Sequence, residues 1–462
     1  MNMDKYISFK ISKFNFVVYS SDGFDVIYNT LQDSITSVKK DLLEKIKISC
    51  DSIAKNEIKQ LHDQGVIVNK DIDELSVFRY RNMNQKMRGK RLHVFLTITG
   101  TCNCNCPYCF AHDCYTNSSM KKEDIPIIMD FIFQQLQYHR SQLLNIDFFG
   151  GEPLLCEEIY IELMQRIQTL CDKLRVKVVF QFYSNGTIRP SVGFAAFKDF
   201  DVTYLITLDG PKDIHDKLRP MKNGHSSYSL ITKNLLELKN ENIKAIIRIN
   251  YGKNSYVHIP ALLDELKTHC LLNFPIEFYP VQNMSQSFAE YEDAVSAMDS
   301  KRITEFLWKE AENRGIRMET RTTASNCYCS AFTNSMFVID PNLYVYKCAL
   351  LQCDKKYSIG NLKVDTDFER DSIFYDWLNY DPSLEEGCRD CVCLPICAGG
   401  CGGSGTFRHG THHHSNCYDL SPVMVKMRMR KYIIQKYSSE LKRFPACDIQ
   451  VLTLEKSRYS TP

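Results

Sequence analysis

The first eighty residues alternate apolar and polar positions in short stretches and then change to a helical spacing. Alternation predicts strands, because successive side chains of a strand point to opposite faces, whereas apolar residues three and four apart predict helices. The strand ranges are 6–12, 14–19, 25–28 and 66–68, and the helix ranges are 31–46 and 52–64. Strands followed by helices predict a small winged-helix-like module over residues 1–82, the alternative being an ordinary extension of the next domain.

From residue 92 the pattern becomes strand, loop and helix in repetition. The candidate strands are 94–100, 145–149, 176–183, 203–208, 245–250 and 276–281, and the helices between them include 125–138, 159–173, 228–238 and 259–266. Repeated βα units imply a parallel sheet. Six units predict an α/β fold with a partial (β/α)6 barrel over residues 92–310, with functional groups at the carboxyl ends of its strands.

Composition places the chain among globular proteins of two or three domains. It has 462 residues, 44% apolar and 24% charged, and a formal net charge of +2, which gives no global field for nucleic acid. No run of 18 apolar residues and no signal-peptide pattern is present, so we expect a cytoplasmic protein without a membrane span. Twenty cysteines in a reducing compartment favour metal-bound thiolates over disulfides.

Most cysteines fall in two groups, at residues 102–114 and 327–417. In the first group Cys102, Cys106 and Cys109 are spaced C-x3-C-x2-C directly after an apolar, β-branched run. Soft ligands at this density select zinc or an iron–sulfur cluster. Three ligands would leave one iron of a four-iron cluster open to substrate or cofactor. A zinc site and a group of buried thiols are the alternatives.

With Tyr108 before the third cysteine, this loop resembles the signature loop of radical S-adenosylmethionine (SAM) enzymes. The resemblance implies a 4Fe-4S cluster whose open iron chelates SAM, and a 5′-deoxyadenosyl radical after SAM cleavage. The family also places SAM contacts at the ends of the barrel strands. The residues that match those positions are Tyr108, Gly150, Gly151, Glu152, Ser184, Asn185, Arg248 and Asn250. Asp209, in an Asp-Gly-Pro turn, is a candidate catalytic residue that could equally close the turn.

The second group of cysteines resembles the SPASM domain, which holds two auxiliary 4Fe-4S clusters, and we expect it over residues 320–422. The resemblance implies that Cys388, Cys391, Cys397 and Cys417 hold one cluster. It implies that Cys329, Cys348 and Cys401 hold the other, with Cys327 as the fourth ligand. Leu343 departs from the family, which usually has glycine there. Residues 423–462 are predicted as a C-terminal helix, basic from 423 to 444, and a tail.

The N-terminal module resembles the leader-binding domain of radical SAM peptide maturases, in which a leader peptide adds a strand to an exposed sheet edge. The resemblance implies an enzyme that installs a thioether or carbon–carbon crosslink in a ribosomally made precursor peptide. It implies three 4Fe-4S clusters, SAM, and an electron donor such as flavodoxin or ferredoxin.

Two other functions are weighed against this one. An anaerobic sulfatase-maturating enzyme, which forms formylglycine, is the first. That subfamily has an aspartate directly after the second SPASM cysteine, where this chain has Ala349. The second is an iron–sulfur or zinc scaffold without catalysis, in which the Gly-Gly-Glu turn and the Arg248 and Asn250 pair would have no purpose.

Overall fold

The chain divides into two compact units. The computed structural model describes residues 8–49, 53–112, 117–283, 291–316, 327, 329–352, 354–364, 368, 371–417, 422–441 and 449–452. The first unit comprises the described residues within 1–86, 319–329 and 380–462, and the second those within 87–318 and 330–379. The N-terminal module is therefore grouped with the second half of the predicted SPASM segment. The predicted boundaries of four domains stay a prediction.

Strands and helices are numbered along the chain. The strands are β1 (Phe9–Ile11), β2 (Asn15–Ser20), β3 (Phe24–Asn29), β4 (Ser34–Lys39), β5 (Ile67–Asn69), β6 (Arg91–Thr99), β7 (Leu143–Gly150), β8 (Lys177–Ser184), β9 (Val202–Thr207), β10 (Lys244–Tyr251), β11 (Ile276–Pro280), β12 (Met336–Ile339), β13 (Tyr344–Tyr346), β14 (Ser358–Asn361) and β15 (Ile449–Leu452). The helices are α1 (Lys40–Ile48), α2 (Lys55–Asp63), α3 (Glu74–Met87), α4 (Ile125–His139), α5 (Glu157–Leu174), α6 (Lys212–Leu218), α7 (Ser227–Asn240), α8 (Ile259–Thr268), α9 (Ala297–Asn313), α10 (Ser372–Asn379), α11 (Glu386–Arg389), α12 (Leu394–Cys397), α13 (Gly402–His409) and α14 (Pro422–Leu441).

The first unit is built on an antiparallel sheet of order β15-β4-β3-β2, and β1 pairs separately with β5. One face of the four-stranded sheet packs Val26 and Tyr28 against Val425 and Met429 of α14. The other face packs residues of β3 and β4 against helices α1 and α2. Because both faces are covered, strands β3 and β4 are buried along most of their length.

The predicted helix over residues 31–46 is wrong in its first half. Residues 30–33 form a turn, in which Asp33 has a φ of 52° and accepts a hydrogen bond of 2.7 Å from the Tyr28 hydroxyl. The chain then forms β4, and the helix begins only at Lys40. Ile35, Thr36 and Val38 are β-branched and fit a strand buried on both faces. Their spacing with Leu31 and Leu42 also matches a helix, which explains the error.

The second unit holds a nine-stranded sheet of order β11-β10-β9-β8-β7-β6-β12-β13-β14. Strands β6 to β11 are parallel and confirm all six predicted barrel strands. Along β6, Leu92, Val94 and Leu96 are fully buried, whereas Arg91 and His93 face the other side and are partly exposed. This second side, defined by Arg91, His93, Asp147, Tyr183 and Arg248, is the polar face of the sheet.

No helix within the described part of the chain is long and apolar enough to cross a membrane.

Candidate active site

The cysteine loop follows β6 and is buried. Cys102, Cys104 and Cys106 form a cluster with Met221, and Cys109 packs against it. The loop pairs with the segment after α6, since the Asn105 amide donates to the Pro220 carbonyl at 2.8 Å and the Lys222 amide donates to the Asn103 carbonyl at 2.9 Å. The protein therefore brings three of the predicted cluster ligands together at the carboxyl end of the first barrel strand.

The thiols of this loop differ in acidity. A hydrogen bond from Cys104 lowers the pKa of Cys102 to about 6, whereas burial raises the pKa of Cys106 to about 12. Cys104 itself has its pKa raised by that same hydrogen bond and by burial. A metal binds the thiolate form, so a ready thiolate at Cys102 suits the first step of metal binding. A group of buried thiols with one acidic member fits a soft metal cluster.

Gly150 and Gly151 let the end of β7 lie against the beginning of the cysteine loop. A Cβ on Gly150, whose φ is 137°, would stand 2.1 Å from the Thr99 carbonyl oxygen, and one on Gly151 would stand 2.2 Å from that of Thr101. The Gly151 amide donates to the Thr99 carbonyl and the Glu152 amide to that of Thr101, both at 2.9 Å. Glycine is thus needed at both positions so that the two backbone segments can approach each other. The sequence pattern did not reveal this role.

Glu152 is fully buried and joins the ends of β7 and β8. Its carboxylate accepts hydrogen bonds from the Leu154 amide at 3.1 Å, the Ser184 hydroxyl at 2.9 Å and the Asn185 amide at 2.7 Å. Burial raises the pKa of Glu152 to about 7, although these hydrogen bonds act in the opposite direction. The structure thus brings together three of the residues predicted to contact SAM.

Asn185 connects this carboxylate to the cysteine loop. Its side-chain amide donates to the Asn103 side-chain oxygen at 2.8 Å and lies 3.5 Å from Cys104 Sγ and 3.7 Å from Cys102 Sγ. Asn103 donates in turn to the Thr187 hydroxyl at 2.8 Å. An amide donor beside thiolates stabilises their charge and tunes any cluster that they hold.

Tyr108 is held by Asp209 and Arg219. Its hydroxyl donates to Asp209 and accepts from Arg219 Nη1 at 2.8 Å, while Arg219 Nη1 lies 3.4 Å from the Asp209 carboxylate. The Asn250 amide donates to the second Asp209 oxygen at 2.8 Å. Burial raises the pKa of Asp209, and the Arg219 charge opposes that rise. The Asp209 side chain has no exposed surface, so its contacts fit a positioning residue better than a base open to substrate.

Arg248 and Asn250 differ from each other in placement. Arg248 lies on the polar face, 3.5 Å from Glu277, with its guanidinium 4.9 Å from the ring centre of Tyr279 and 5.9 Å from that of Tyr183. Asn250 reaches the Tyr108 network through its backbone amide. Their predicted contacts with SAM stay predictions.

The polar face also carries a pair that sequence reasoning missed. His93 Nε2 lies 2.9 Å from the Asp147 carboxylate, and Arg91 donates to Asn145 at 2.8 Å. These residues stand at alternate positions of β6 and β7. Polar residues at every second position of a buried strand were the signal that could have found them.

Cys388, Cys391, Cys397 and Cys417 of the second cysteine group all lie in the first unit. Cys388, Cys391, Cys397 and Cys417 interact electrostatically, and after burial these neighbouring thiols raise the pKa of Cys397. Cys391 has its pKa lowered to about 6 by a hydrogen bond from Cys393. Neighbouring thiols of this kind, two of them buried (Cys388 and Cys397) and one exposed (Cys417), fit a soft metal cluster. The structure thus brings together the four residues predicted to hold one auxiliary cluster.

The four residues predicted for the other auxiliary cluster are divided between the units. Cys327, Cys329 and Cys401 are partly buried members of the first unit, and Cys348 is a buried member of the second. This ligand set stays a prediction.

Comparison with known proteins finds similarity to an iron–sulfur domain family and to radical SAM proteins. Residues 87–231 match the family described as "4Fe-4S single cluster domain". A cysteine-type anaerobic sulfatase-maturating enzyme of Clostridium novyi is 24% identical, over 71% of this chain and 92% of that protein. The radical SAM cyclopropyl synthase TigE of Paramaledivibacter caminithermalis is 20% identical, over 80% and 81% of the two chains.

Two solved structures share the fold. One is anSMEcpe with bound AdoMet and the Cp18Cys peptide, with a TM-score of 0.63 at 18% identity over 76% of this chain and 99% of that chain. The other is SuiB of Streptococcus suis bound to its precursor peptide SuiA, with a TM-score of 0.54 at 13% identity over 89% of this chain and all of that chain.

Proposed function

We propose that this chain is a radical SAM enzyme with a C-terminal SPASM domain, and that it is a peptide maturase that installs a thioether or carbon–carbon crosslink in a ribosomally made precursor. The similarity to a 4Fe-4S domain family and to radical SAM maturases supports this proposal. The observation that supports this proposal most is the N-terminal sheet, which is an addition to the barrel and packs on the cysteine-bearing C-terminal segment. The edge of such a sheet is a common place for an extended peptide to bind as an added strand.

The described residues at the barrel end would have different roles in the proposed reaction. Cys102, Cys106 and Cys109 would hold the cluster that, when bound, supplies the electron for SAM cleavage. Tyr108, fixed by Asp209 and Arg219, sets the position of the loop between the second and third cysteines. Glu152, predicted to contact the amino group of SAM, is fully buried and accepts three hydrogen bonds from the chain, so its role would be to fix the ends of β7 and β8 beside the cysteine loop. Cofactors carry the difficult chemistry here, and the protein supplies position and exclusion of water.

The auxiliary cysteines would serve the second half of the reaction. Cys388, Cys391, Cys397 and Cys417 would hold one cluster, and Cys327, Cys329, Cys348 and Cys401 the other, which gives three 4Fe-4S clusters in total. Such clusters could accept the electron that remains on a product radical or bind a substrate thiol. A small reductant such as flavodoxin or ferredoxin would reduce the SAM-binding cluster. We place the enzyme in the cytoplasm because of its many thiolates.

Sulfatase maturation is the second candidate, and the similarity to sulfatase-maturating enzymes favours it. Ala349 counts against it, because an aspartate is expected at that position in those enzymes. Ala349 packs against the cluster of Met336, Val338 and Tyr346 and has no group that could act as a base. Alanine in place of aspartate at position 349 therefore favours a peptide oxidation other than formylglycine formation.

Anaerobic co-expression with a candidate short, cysteine- or aromatic-rich precursor peptide tests the proposal. Mass spectrometry of the peptide should show the loss of two hydrogen atoms, and fragmentation should locate a crosslink. The variant Cys106→Ala is the control that should leave the peptide unmodified. An unchanged peptide, together with oxidation of a sulfatase-type peptide to formylglycine, would move the assignment to the second candidate.

A further inference from the structure

The last described segment of the chain covers one edge of the N-terminal sheet. Strand β15 pairs antiparallel with β4, so that Ile449, Gln450, Val451 and Leu452 stand opposite Val38, Ser37, Thr36 and Ile35. The strand order β15-β4-β3-β2 places β4 second in the sheet only because of this pairing. Without β15, the backbone groups of β4 would form an open edge, which is a template for any extended peptide.

The side chains of β15 are held unequally. Leu452 is 5% exposed and packs in the cluster that contains Val26, Tyr28 and Ile35. Ile449 is partly buried and packs against the opposite cluster, which contains Val38. Val451 is 45% exposed and Gln450 is partly buried. A four-residue strand with one fully buried side chain is held mainly by its backbone, so it can be exchanged for another extended segment.

The pairing also leaves one polar group of β4 unsatisfied. Thr36 is fully buried, and its hydroxyl makes no hydrogen bond within the described residues. The residue opposite Thr36 is Val451, which has no polar atom to offer. Buried hydroxyls normally have a partner. A peptide with a hydroxyl or amide side chain at this position could supply one, so the chain's own segment is a weaker occupant than the edge could accept.

We infer that residues 449–452 act as an internal competitor at the β4 edge, and that an incoming extended peptide of the pattern apolar-any-polar-apolar must displace them. The two apolar positions follow from the clusters that receive Ile449 and Leu452, and the polar position follows from Thr36. This inference rests on the proposed function, since it specifies where the precursor peptide would bind and what it must displace.

The probe is a fluorescein-labelled peptide of residues 446–456 with serine at position 447, and anisotropy is measured anaerobically with the full-length, cluster-loaded enzyme. The substitution Leu452→Asp in the enzyme should release β15 and raise the affinity for the probe at least about tenfold. Gln450→Asp places the same charge on the same strand, at the position that the pattern leaves open, and is the matched control, with affinity near that of wild type. Equal affinity in wild type and Leu452→Asp would overturn the inference.

A second probe tests the polar position. The same peptide with Val451→Thr should bind the Leu452→Asp enzyme about two- to tenfold more tightly than the parent peptide, because it can pair with Thr36 and a net hydrogen bond is worth about 0.5–1.5 kcal/mol. No gain, or weaker binding, would contradict the predicted pattern.

Hydrogen exchange on the wild-type enzyme needs no variant and covers the case in which Leu452→Asp fails to fold. Excess probe should accelerate exchange of the enzyme's own amides in 449–452 while those in 35–38 stay protected; unchanged exchange of 449–452 would refute displacement. Failure of the proposed function gives a different result, in which the probe binds the released edge and displaces β15 but the precursor peptide does neither.

Discussion

The Tyr108 hydroxyl donates a hydrogen bond to the buried Asp209 carboxylate, so the residue beside Cys109 is fixed by the end of β9. Arg219 completes the contact by donating to Tyr108 at 2.8 Å. The cysteine loop is therefore positioned by a buried, charged network, and not only by the cluster that it is proposed to hold. Such a network would hold the three predicted ligands in position in the absence of metal.

Asp209→Asn should weaken the loop without removing a cluster ligand. The Arg219 side chain is 13% exposed, and a buried charge that loses its partner typically costs about 3–5 kcal/mol. We expect lower iron retention in the SAM-binding cluster and a lower rate of SAM cleavage, measured by iron analysis and 5′-deoxyadenosine release. Lys217→Asn removes a charge in the neighbouring helix and is the control. Wild-type iron content and rate in Asp209→Asn would show that the network does not position the loop.

Comparison of Cys106→Ala with Cys104→Ala should distinguish a cluster ligand from a neighbouring thiol that is not a ligand. Both thiols are buried in one cluster. Cys106→Ala should abolish 5′-deoxyadenosine formation, because the cluster would lose one of three ligands. Cys104→Ala should retain it at a reduced rate, since Cys104 is not a predicted ligand and its loss removes a hydrogen bond that lowers the pKa of Cys102. Undiminished 5′-deoxyadenosine formation by Cys106→Ala would refute the assigned ligand set.

Removal of the N-terminal residues should damage the second cysteine group. Phe14, Leu31 and Phe78 pack with Cys388 and Leu394, and burial of such side chains is worth about 1.5–3 kcal/mol each. A chain that lacks residues 1–80 should therefore lose iron from one auxiliary cluster as well as peptide affinity. Iron analysis and electron paramagnetic resonance would measure this loss. Full auxiliary iron in the truncated chain would show that the packing is dispensable for the cluster.

Acid should destabilise the enzyme through His215. His215 is buried, its Nδ1 accepts from the Asp209 amide at 3.0 Å, and burial lowers its pKa to about 3. A folded-state pKa below the unfolded value means that this stabilisation is complete above about pH 6.5 and is lost as the pH falls toward 3. In anaerobic urea unfolding of wild type, the free energy of unfolding should decrease as the pH is lowered. His215 should contribute at most about 1.4 kcal/mol per pH unit to this decrease. His215→Gln should show a shallower dependence; an identical slope would exclude His215 as a source.

Much of the barrel was predictable because its signals are local. The six parallel strands and the cysteine spacing depend on neighbouring residues, and all six strands were found near their predicted positions. The boundary between β4 and α1 was missed because Ile35, Val38 and Leu42 fit both a strand and a helix.

The long-range relationships were not predictable from one sequence. The pairing of β15 with β4 joins segments about 410 residues apart, and a four-residue strand has too little pattern to indicate its partner. The pair of His93 and Asp147 likewise arises only when β6 and β7 are placed side by side, and the contact of Tyr108 with Asp209 joins loops 101 residues apart.

The most direct test of peptide maturation follows SAM and peptide in the same anaerobic samples of reconstituted enzyme, SAM, reductant and precursor peptide. The account predicts that 5′-deoxyadenosine appears in proportion to peptide that has lost two hydrogen atoms and carries a new internal crosslink. Release of 5′-deoxyadenosine with every tested precursor left intact, while a sulfatase-type peptide becomes formylglycine, would contradict it.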